Sequence, residues 1–547
     1  MCWSSGRRWG PHDAPAATEV FGRRALFGAV PRAVWAVVAL HTLLLVLYTV
    51  LVPLYRAPDE YKHVDYILHL SRGEPLPELT DLDLGEDIVG TVRWLDFRDA
   101  DPRPLPASEA TIRAQRPAFE EAEPLGQGAR IPNQMTQHPP LYYLVLGWLV
   151  RLTPTVDSWS FDRVVGYLRL LNVPLAVPLP LLAFAATRRL VGGNGAVPIA
   201  AAVAGLAVPQ FFHIGGSVNN DNLFNLATAV LAVALVFVSL GDLSRRTAGW
   251  VAAMLGIALL SKGFALALPP WIVAAYALGW LRGRSRPPVV PLLLALGASA
   301  LAGGWWWVRN LVRYGELQPS ANPWRTREGF VPDPSHYWPD LFAPFLLERW
   351  WGSFGWVDNP LPWPVVVAAW VVLGTGIVAG LVLVSTRHPG RQLHLVVMVL
   401  PTMLTLAVIA YGGWRSYART GVPLGVQGRY LYAGLVGLLS AGAIGYGRLL
   451  RDAAGWLPLL VLAGAGAMHL SALLTILGPY WGPDTSVSLE AVRALVVWSP
   501  WPGRALAAMA LLLAGSGTVA VVLLAREALP SREPVGTSDH HPAPVRS

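Results

Sequence analysis

Several clusters of polar residues interrupt an otherwise apolar chain, and each is of a type that could do chemistry. The first is Ala57-Pro58-Asp59-Glu60-Tyr61-Lys62-His63-Val64-Asp65-Tyr66. Pro58 suits the first turn of a helix, and Asp59 and Glu60 would then sit at its positive end, where carboxylates are favoured. Asp59 and His63 are four residues apart and share a helix face. What leans toward function is location, a Pro-Asp-Glu-x-x-His cluster at the exit of the first apolar run. Val64, Ile67 and Leu68 form an apolar stripe, so the helix is expected to lie along a membrane surface. The same residues read equally as a capped amphipathic helix whose acids serve only its dipole.

Asn219-Asn220-Asp221-Asn222 opens the apolar run 223–240. Asn and Asp are favoured N-caps, but one residue caps a helix and four exceed the need. Ser261-Lys262-Gly263 breaks an apolar hairpin at 248–281. A lysine there is costly unless it is paired or faces water. An anion such as a lipid phosphate would satisfy it, and so would snorkelling to the surface. In Trp305-Trp306-Trp307-Val308-Arg309-Asn310, the tryptophans suit an interfacial aromatic belt and the Arg309 fork suits phosphate. Tyr314 follows one turn later. Trp356 and Asp358, and then Gln427, Arg429 and Tyr430, place flat aromatic faces beside polar groups. That mixture fits sugar binding as well as it fits an aromatic girdle. His41, His213 and His469 lie in or near apolar runs and are expected to be hydrogen-bonded packing residues, so no metal site is read from them.

These clusters need a membrane to position them. The chain has 547 residues, 54% apolar and 14% charged. Soluble proteins carry about 25% charged residues, so a cytosolic enzyme, a secreted disulfide scaffold and a disordered chain are all excluded. A single cysteine, Cys2, leaves no internal disulfide. Helices that cross need about 20 apolar residues. Such runs lie at 33–53, 164–187, 197–217, 221–240, 264–281, 289–312, 363–385, 392–411, 429–447, 455–478 and 504–525, with shorter ones at 139–152 and 248–260.

Arginine clusters set the orientation. Arg7, Arg8, Arg23, Arg24 and Arg32, then Arg188 and Arg189, Arg245 and Arg246, Arg282, Arg284 and Arg286, Arg387 and Arg391, and Arg448 and Arg451 all fall inside if 139–152 does not cross and 248–281 is a hairpin. The result is an all-α polytopic protein of about twelve crossings with both termini cytoplasmic. The net charge of +8 then belongs to the cytoplasmic face and anionic lipid, not to nucleic acid. The outer loop 54–138 is acidic, with 16 Asp and Glu against 9 Lys and Arg over 54–136. No signal peptide is read, because the first apolar run is long enough to be retained. The tails, rich in Pro, Ser, Arg and His, are expected to be disordered, and His540 and His541 to be solvated. The organisation is a basic tail at 1–32, a module at 33–312 that includes the outer loop, an outer aromatic loop at 313–362, further crossings at 363–526 and a tail at 527–547.

The order of these motifs carries a resemblance. Pro58-Asp59-Glu60-x-x-His63, His138-Pro139-Pro140-Leu141-Tyr142-Tyr143, Arg169-Leu170-Leu171-Asn172, the Asn219–Asn222 run, Lys262, Trp307-Val308-Arg309-Asn310-x-x-x-Tyr314-Gly315, Gly352-Ser353-Phe354-Gly355-Trp356 and Gln427-Gly428-Arg429-Tyr430 resemble a bacterial family of predicted multi-pass membrane proteins. That family is similar to the GT-C glycosyltransferases, which include the dolichyl-phosphate-mannose–protein mannosyltransferases and the lipid A aminoarabinose transferases. The resemblance implies a sugar taken from a polyprenyl-phosphate carrier on the outer face, with an acid of the first outer loop as base. Asp59 matches that acid, and Asp221 matches the acid of the second outer loop. One departure is that Asn133 and Gln137 stand before the Pro-Pro-Leu stretch, where relatives often carry an acid for a metal.

The reading is an inverting membrane glycosyltransferase with Asp59 as base and Glu60 and His63 shaping its site. Asn219, Asn220 and Asp221 would bind acceptor or sugar, with a divalent cation as an optional aid. Lys262, Arg309 and Arg429 would hold the lipid phosphate, and Asn310, Tyr314, Trp356, Asp358, Gln427 and Tyr430 would complete the substrate surface. The acceptor would be a cell-envelope glycan, glycolipid or protein. The rivals are a flippase for a lipid-linked sugar, which would carry ionisable groups on broken helices at mid-membrane, and a non-catalytic assembly protein.

Overall fold

The structure, a computed structural model, describes residues 21–22, 28, 30–96, 104–122, 131–283, 286–321, 326–383, 390–483 and 485–528. Cys2, Arg7, Arg8, Arg23, Arg24, Arg284, Arg387, His540 and His541, and most of both expected tails, lie outside these residues. The fold is helical. Among the described residues the strands are one antiparallel pair, Ser353–Phe354 with Asn359–Pro360.

The helix α1, Arg32–Leu51, carries no charge after its first residue. At 1.5 Å per residue it reaches about 30 Å, the thickness of the hydrocarbon core. Two short helices of the first loop follow, α2 at Glu60–Ser71 and α3 at Glu86–Trp94. Then come α4, Leu141–Arg151, α5, Phe161–Ala176, α6, Leu179–Val191, α7, Ala196–Ala204, α8, Pro209–Gly215, and α9, Asp221–Ser239. The second half holds α10, Arg245–Leu259, α11, Pro269–Gly283, α12, Val289–Ser299, α13, Trp305–Tyr314, and α14, Ala343–Trp351. It ends with α15, Trp363–Val382, α16, Arg391–Thr420, α17, Leu435–Leu450, α18, Leu457–Trp481, α19, Leu489–Trp498, and α20, Gly503–Ala528.

All twelve stretches read as crossings contain helix, yet the described residues give nine spans long and apolar enough to cross, or ten with one bent pair. The expected twelve is therefore not reached on length and apolarity. Helix α10 has only fifteen residues. The run 428–481 holds both α17 and α18, separated at Arg451, whose φ is +48°. The stretch 196–215 bends by 67° between its limbs. Pro209 causes that bend: it has no amide hydrogen to donate, and it forces Val208 out of helical geometry, to φ −116° and ψ 84°.

As expected, α4 is too short to cross; eleven residues reach about 16 Å. It packs on α2 and buries the stripe of Val64, Ile67 and Leu68, so that stripe faces protein. The two helices nearly touch at Gly147, where a Cβ would come within 3.1 Å of the Ile67 carbonyl oxygen.

One ion pair fastens this assembly. Glu60 Oε1 accepts from Arg169 Nε at 2.8 Å and from the Val218 amide at 3.0 Å. Its Oε2 accepts from Arg169 Nη2 at 2.6 Å and from the Tyr55 amide at 2.9 Å. Arg169 also donates to the carbonyls of Thr49, Val52 and Pro53. The end of α1, the start of α2, the middle of α5 and the loop before α9 thus meet at one buried carboxylate. Asp65 makes a second tie: it accepts from the Gly85 amide at 3.0 Å and from Asn133 Nδ2 at 2.7 Å, holding two segments of the first loop to α2.

Replacing Arg169 with Met strands a buried carboxylate and should cost about 3–5 kcal/mol. The readout is the thermal midpoint of the detergent-solubilised protein. Adding Glu60→Leu should recover only part of the loss, because the three carbonyls stay without their donor. Asp65 gives a pH signature. Burial pushes its carboxyl from 3.8 up to about 6, against the pull of its bonds to Asn133 and Gly85. The native state therefore holds a proton that the unfolded chain releases, and this stabilisation is present below pH 3.8 and lost as pH rises through 6. The stability of wild type relative to Asp65→Asn should fall between pH 4 and 7 by roughly 2–3 kcal/mol. A flat difference would refute it.

Candidate functional site

Asp59 is the residue before α2, at φ +58° in the left-handed region, which Asp tolerates better than most residues. Pro58 thus precedes the helix, and the Asp59 side chain does not cap it. Its Oδ1 instead accepts from Lys62 Nζ at 3.0 Å and from Gln134 Nε2 at 2.6 Å. The side chain keeps 26% of its exposure. Lys62 lies 5.3 Å from the Trp356 ring centre and 5.5 Å from that of Tyr61, a cation–aromatic seat that fixes the ammonium. Trp356 in turn donates to the Tyr55 carbonyl at 3.1 Å.

Glu60 and His63, expected beside Asp59, turn elsewhere. Glu60 is spent on Arg169 and two amides, with no lone pair left for substrate. The His63 ring lies within hydrogen-bond distance of Tyr143 Oη, at 2.9 Å, and stacks on that ring. Burial, with the charge of Lys262 nearby, pushes the His63 pKa well below its ordinary value, so the ring is neutral. His138 is lowered to about 4 by burial and then by Lys262. The segment that carries His138 joins the two acidic motifs: Gln134 donates to Asp59, and the Leu141 amide donates to the Leu260 carbonyl at 3.2 Å, two residues before Lys262.

The Asn219–Asn222 run divides its labour. Asn219 Oδ1 accepts from the Asp221 amide at 2.9 Å, an Asx turn that leads into the helix, while the N-cap residue, Asn220, makes no side-chain cap bond. Asn220 donates to the Ser261 carbonyl at 3.2 Å. Asn222 donates to Asn172 Oδ1 and to the carbonyls of Ile214 and Ser217. Asp221 Oδ1 pairs with Lys262, and its Oδ2 lies 3.2 Å from Arg429 Nε. Lys262 is buried and sits 4.6 Å from the Tyr430 ring centre, so it does not snorkel. Two cations against one carboxylate leave this buried cluster with a surplus positive charge.

Arg309 is not part of it. Arg309 donates to Glu78 at 2.8 Å, Arg313 pairs with the other Glu78 oxygen at 2.8 Å, and Tyr314 donates to Glu78 at 2.5 Å. Burial opposes the Glu78 charge, but these partners outweigh it and lower its pKa. The cluster fastens the first loop to α13. Asn310 donates to the Leu317 carbonyl, and Asp358 accepts from Tyr480 at 3.3 Å. Gln427 Oε1 is buried without a partner. Of the three tryptophans, Trp305 alone is exposed. Trp306 and Trp307 are buried, and Trp307 donates to the Leu259 carbonyl, so the belt reading fits only the first.

The donor set does not suit a divalent cation. Asp59 is occupied by a lysine and an amide, and Asp221 by a lysine and an arginine. The described residues contain no group of three or more His, Cys, Asp or Glu that could hold a metal. Sequence reasoning missed Gln134 and Glu78, the partners of Asp59 and Arg309. Lys62 and Lys262 stand out as the chain's only lysines, but sequence reasoning gave Lys62 no role; the structure pairs each with an acid of the candidate site.

Among solved structures, the chain is similar to ArnT from Cupriavidus metallidurans bound to undecaprenyl phosphate, at 13% identity and a TM-score of 0.44, over 89% of this chain and 77% of that one. It is also similar to the Archaeoglobus fulgidus oligosaccharyltransferase in its apo form, at 14% identity and a TM-score of 0.38, over 86% of this chain and 56% of that one. No curated protein matches the sequence. Residues 42–438 match the family described as "Predicted membrane protein (DUF2142)", which is more than half of the chain, and the protein is a multi-pass member of that family.

Proposed function

We propose that the protein is an inverting glycosyltransferase that moves a sugar from a polyprenyl-phosphate donor to a cell-envelope acceptor on the outer face of the plasma membrane. The observation that carries this reading is a pairing of opposites. A partly exposed carboxylate, Asp59, is joined through the segment 134–141 to a buried cluster with surplus positive charge, Asp221–Lys262–Arg429. Single displacement at an anomeric carbon asks for those two things. Asp59 takes the acceptor hydroxyl proton as the oxygen bonds to the sugar. The bond from the anomeric carbon to the phosphate oxygen breaks, and the electron pair leaves with the phosphate, whose growing charge Lys262 and Arg429 meet.

Geometry revises the supporting cast. Glu60 positions Asp59 through the backbone and does not touch substrate. Lys62 and Gln134 hold the Asp59 carboxylate in place. Arg309, tied to Glu78, is withdrawn from the phosphate role. The flippase reading draws some support from the bent span with His213 in its second limb. Reconstitution separates the two: a transferase makes a new glycosidic bond in proteoliposomes without another enzyme, and a flippase only relocates the donor.

In a deletion strain, mass spectrometry should show a polyprenyl-phosphate sugar accumulating and an envelope glycan residue missing. Wild type should restore the glycan. Asp59→Asn should fold but turn over roughly 10²–10⁴-fold more slowly. Full restoration by Asp59→Asn would sink the assignment of the base. A second prediction concerns the buried cluster. Asp221→Leu leaves two cations facing each other and should lower stability by roughly 3–5 kcal/mol. The double variant Asp221→Leu/Lys262→Met should regain much of that stability but not transfer activity, as judged by thermal midpoint and by product formation.

A further inference from the structure

The histidines in the apolar runs divide into two kinds. His41 Nε2 lies 3.2 Å from the Ala176 carbonyl oxygen, and His469 reaches both Tyr48 Oη and the Leu206 carbonyl. These are the hydrogen-bonded packing residues that the sequence suggests. His213 is not: it is 1% exposed, and neither ring nitrogen has a partner in the protein. Buried polar groups almost always find partners, and an exception calls for a reason.

His213 does not stand alone. Gln210, one turn earlier on the same limb of the broken span, is fully buried; its Oε1 accepts from the Ser353 amide at 2.8 Å while its Nε2 has no partner. Arg429 lies within electrostatic reach of the His213 ring, and its Nε and Nη1 make no hydrogen bond. Asp221 Oδ2, 3.2 Å from that Nε, makes none either. The ion pair is close but misaligned, so both groups have capacity left for a third. Phe354 closes one side, 5.7 Å from the imidazole centre. The limb α8 packs on α14 and on the Ser353–Phe354 strand, and the 428–434 turn packs on α14 as well, so one frame holds these groups together.

The chemistry of the unpaired atoms names the occupant. Arg429 and Gln210 offer donors. Asp221 Oδ2 offers an acceptor. A neutral imidazole offers one of each. A phosphate diester supplies acceptors alone: it can meet Lys262 and Arg429, but it leaves the Asp221 oxygen and the acceptor nitrogen of His213 without a donor. Sugar hydroxyls both donate and accept, and they suit the mixed set. We propose that the second limb of the broken span is a sugar-binding subsite, in which His213, Gln210 and Arg429 hydrogen-bond hydroxyl groups of the sugar being transferred. This rests on the glycosyltransferase reading and adds to it the place where the sugar is recognised.

The test uses the full chain in nanodiscs and two kinds of probe: undecaprenyl phosphate without a sugar, and a panel of undecaprenyl-phosphate-linked hexoses and pentoses. Wild type should bind at least one sugar-bearing probe about tenfold more tightly than the bare phosphate, the scale of a net hydrogen bond or two. His213→Leu should erase that preference and leave bare-phosphate binding within about twofold. His213→Asn, which keeps a donor and an acceptor, should retain most of it. If His213→Leu misfolds, Gln210→Leu carries the same comparison. The proposal is overturned if the preference survives either Leu variant, if both probes weaken together as a packing defect would make them, or if wild type shows no preference across the panel. If wild type binds neither kind of probe, the transferase reading itself fails.

Discussion

Everything near the candidate site hangs from the contact between Glu60 and Arg169. A buried ion pair is costly, because two charges leave water, and it persists only when the remaining lone pairs and protons are satisfied. Here the balance is complete. Arg169 uses all five of its N–H groups, on two carboxylate oxygens and three carbonyls. Each Glu60 oxygen accepts two bonds. The three carbonyls lie at and beyond the end of α1, where a helix leaves its last acceptors unpaired. One arginine therefore ends the first span, starts the juxtamembrane helix and anchors the loop that opens α9. Asp59 is the neighbour of Glu60, and Asn219 follows Val218 directly. Both acidic motifs are registered against one carboxylate.

The Asp221–Lys262–Arg429 cluster is built on the opposite plan. It is as buried as the first, but its bonds are incomplete: Asp221 Oδ2 and two Arg429 nitrogens lack hydrogen bonds, and its charges do not cancel. A completed network rigidifies, whereas an incomplete one stores a demand for a partner. The same loop thus links a buried charge cluster whose hydrogen bonds are complete to one that keeps unmet capacity.

Much of this was legible in the sequence, and the rest was hidden for physical reasons. Apolar runs located the helices because burial in hydrocarbon forces a long uniform signal. The twelve crossings are not confirmed by length and apolarity where that signal is blurred: at Pro209, which breaks a span, at α10, which is short, and at 428–481, where the two helices read from the sequence share one apolar run. Asp59, Asp221, Lys262 and Arg429 stood out because charge in an apolar chain is conspicuous, and the structure brings the last three together. Glu60 stood out for the same reason, yet it serves the fold; the residue type alone cannot tell a satisfied carboxylate from a reactive one. Arg309 was misread because its partner, Glu78, lies 231 residues away in the sequence. His213 was set aside by the rule that buried histidines are paired, which holds for His41 and His469 and fails here.

The amides before the Pro-Pro-Leu stretch each have a structural partner. Asn133 serves Asp65 and the loop. Gln137 passes its carbonyl to Gln318 and its side chain to the Ala321 amide, 184 residues on. Gln134, between them, donates to Asp59 beside Lys62. A neutral donor and an ammonium at one carboxylate oxygen orient the group and leave its second oxygen outside that pair of bonds, so Asp59 is held without being buried. On the proposed reading such a carboxylate suffices, because departure of the phosphate drives the reaction and the base need only collect the acceptor proton late. Under the proposed function, a base seated this way, fixed and partly exposed, suits a reaction whose difficult charge develops on the leaving group, and the surplus of positive charge at Lys262 and Arg429 is where this chain would answer it.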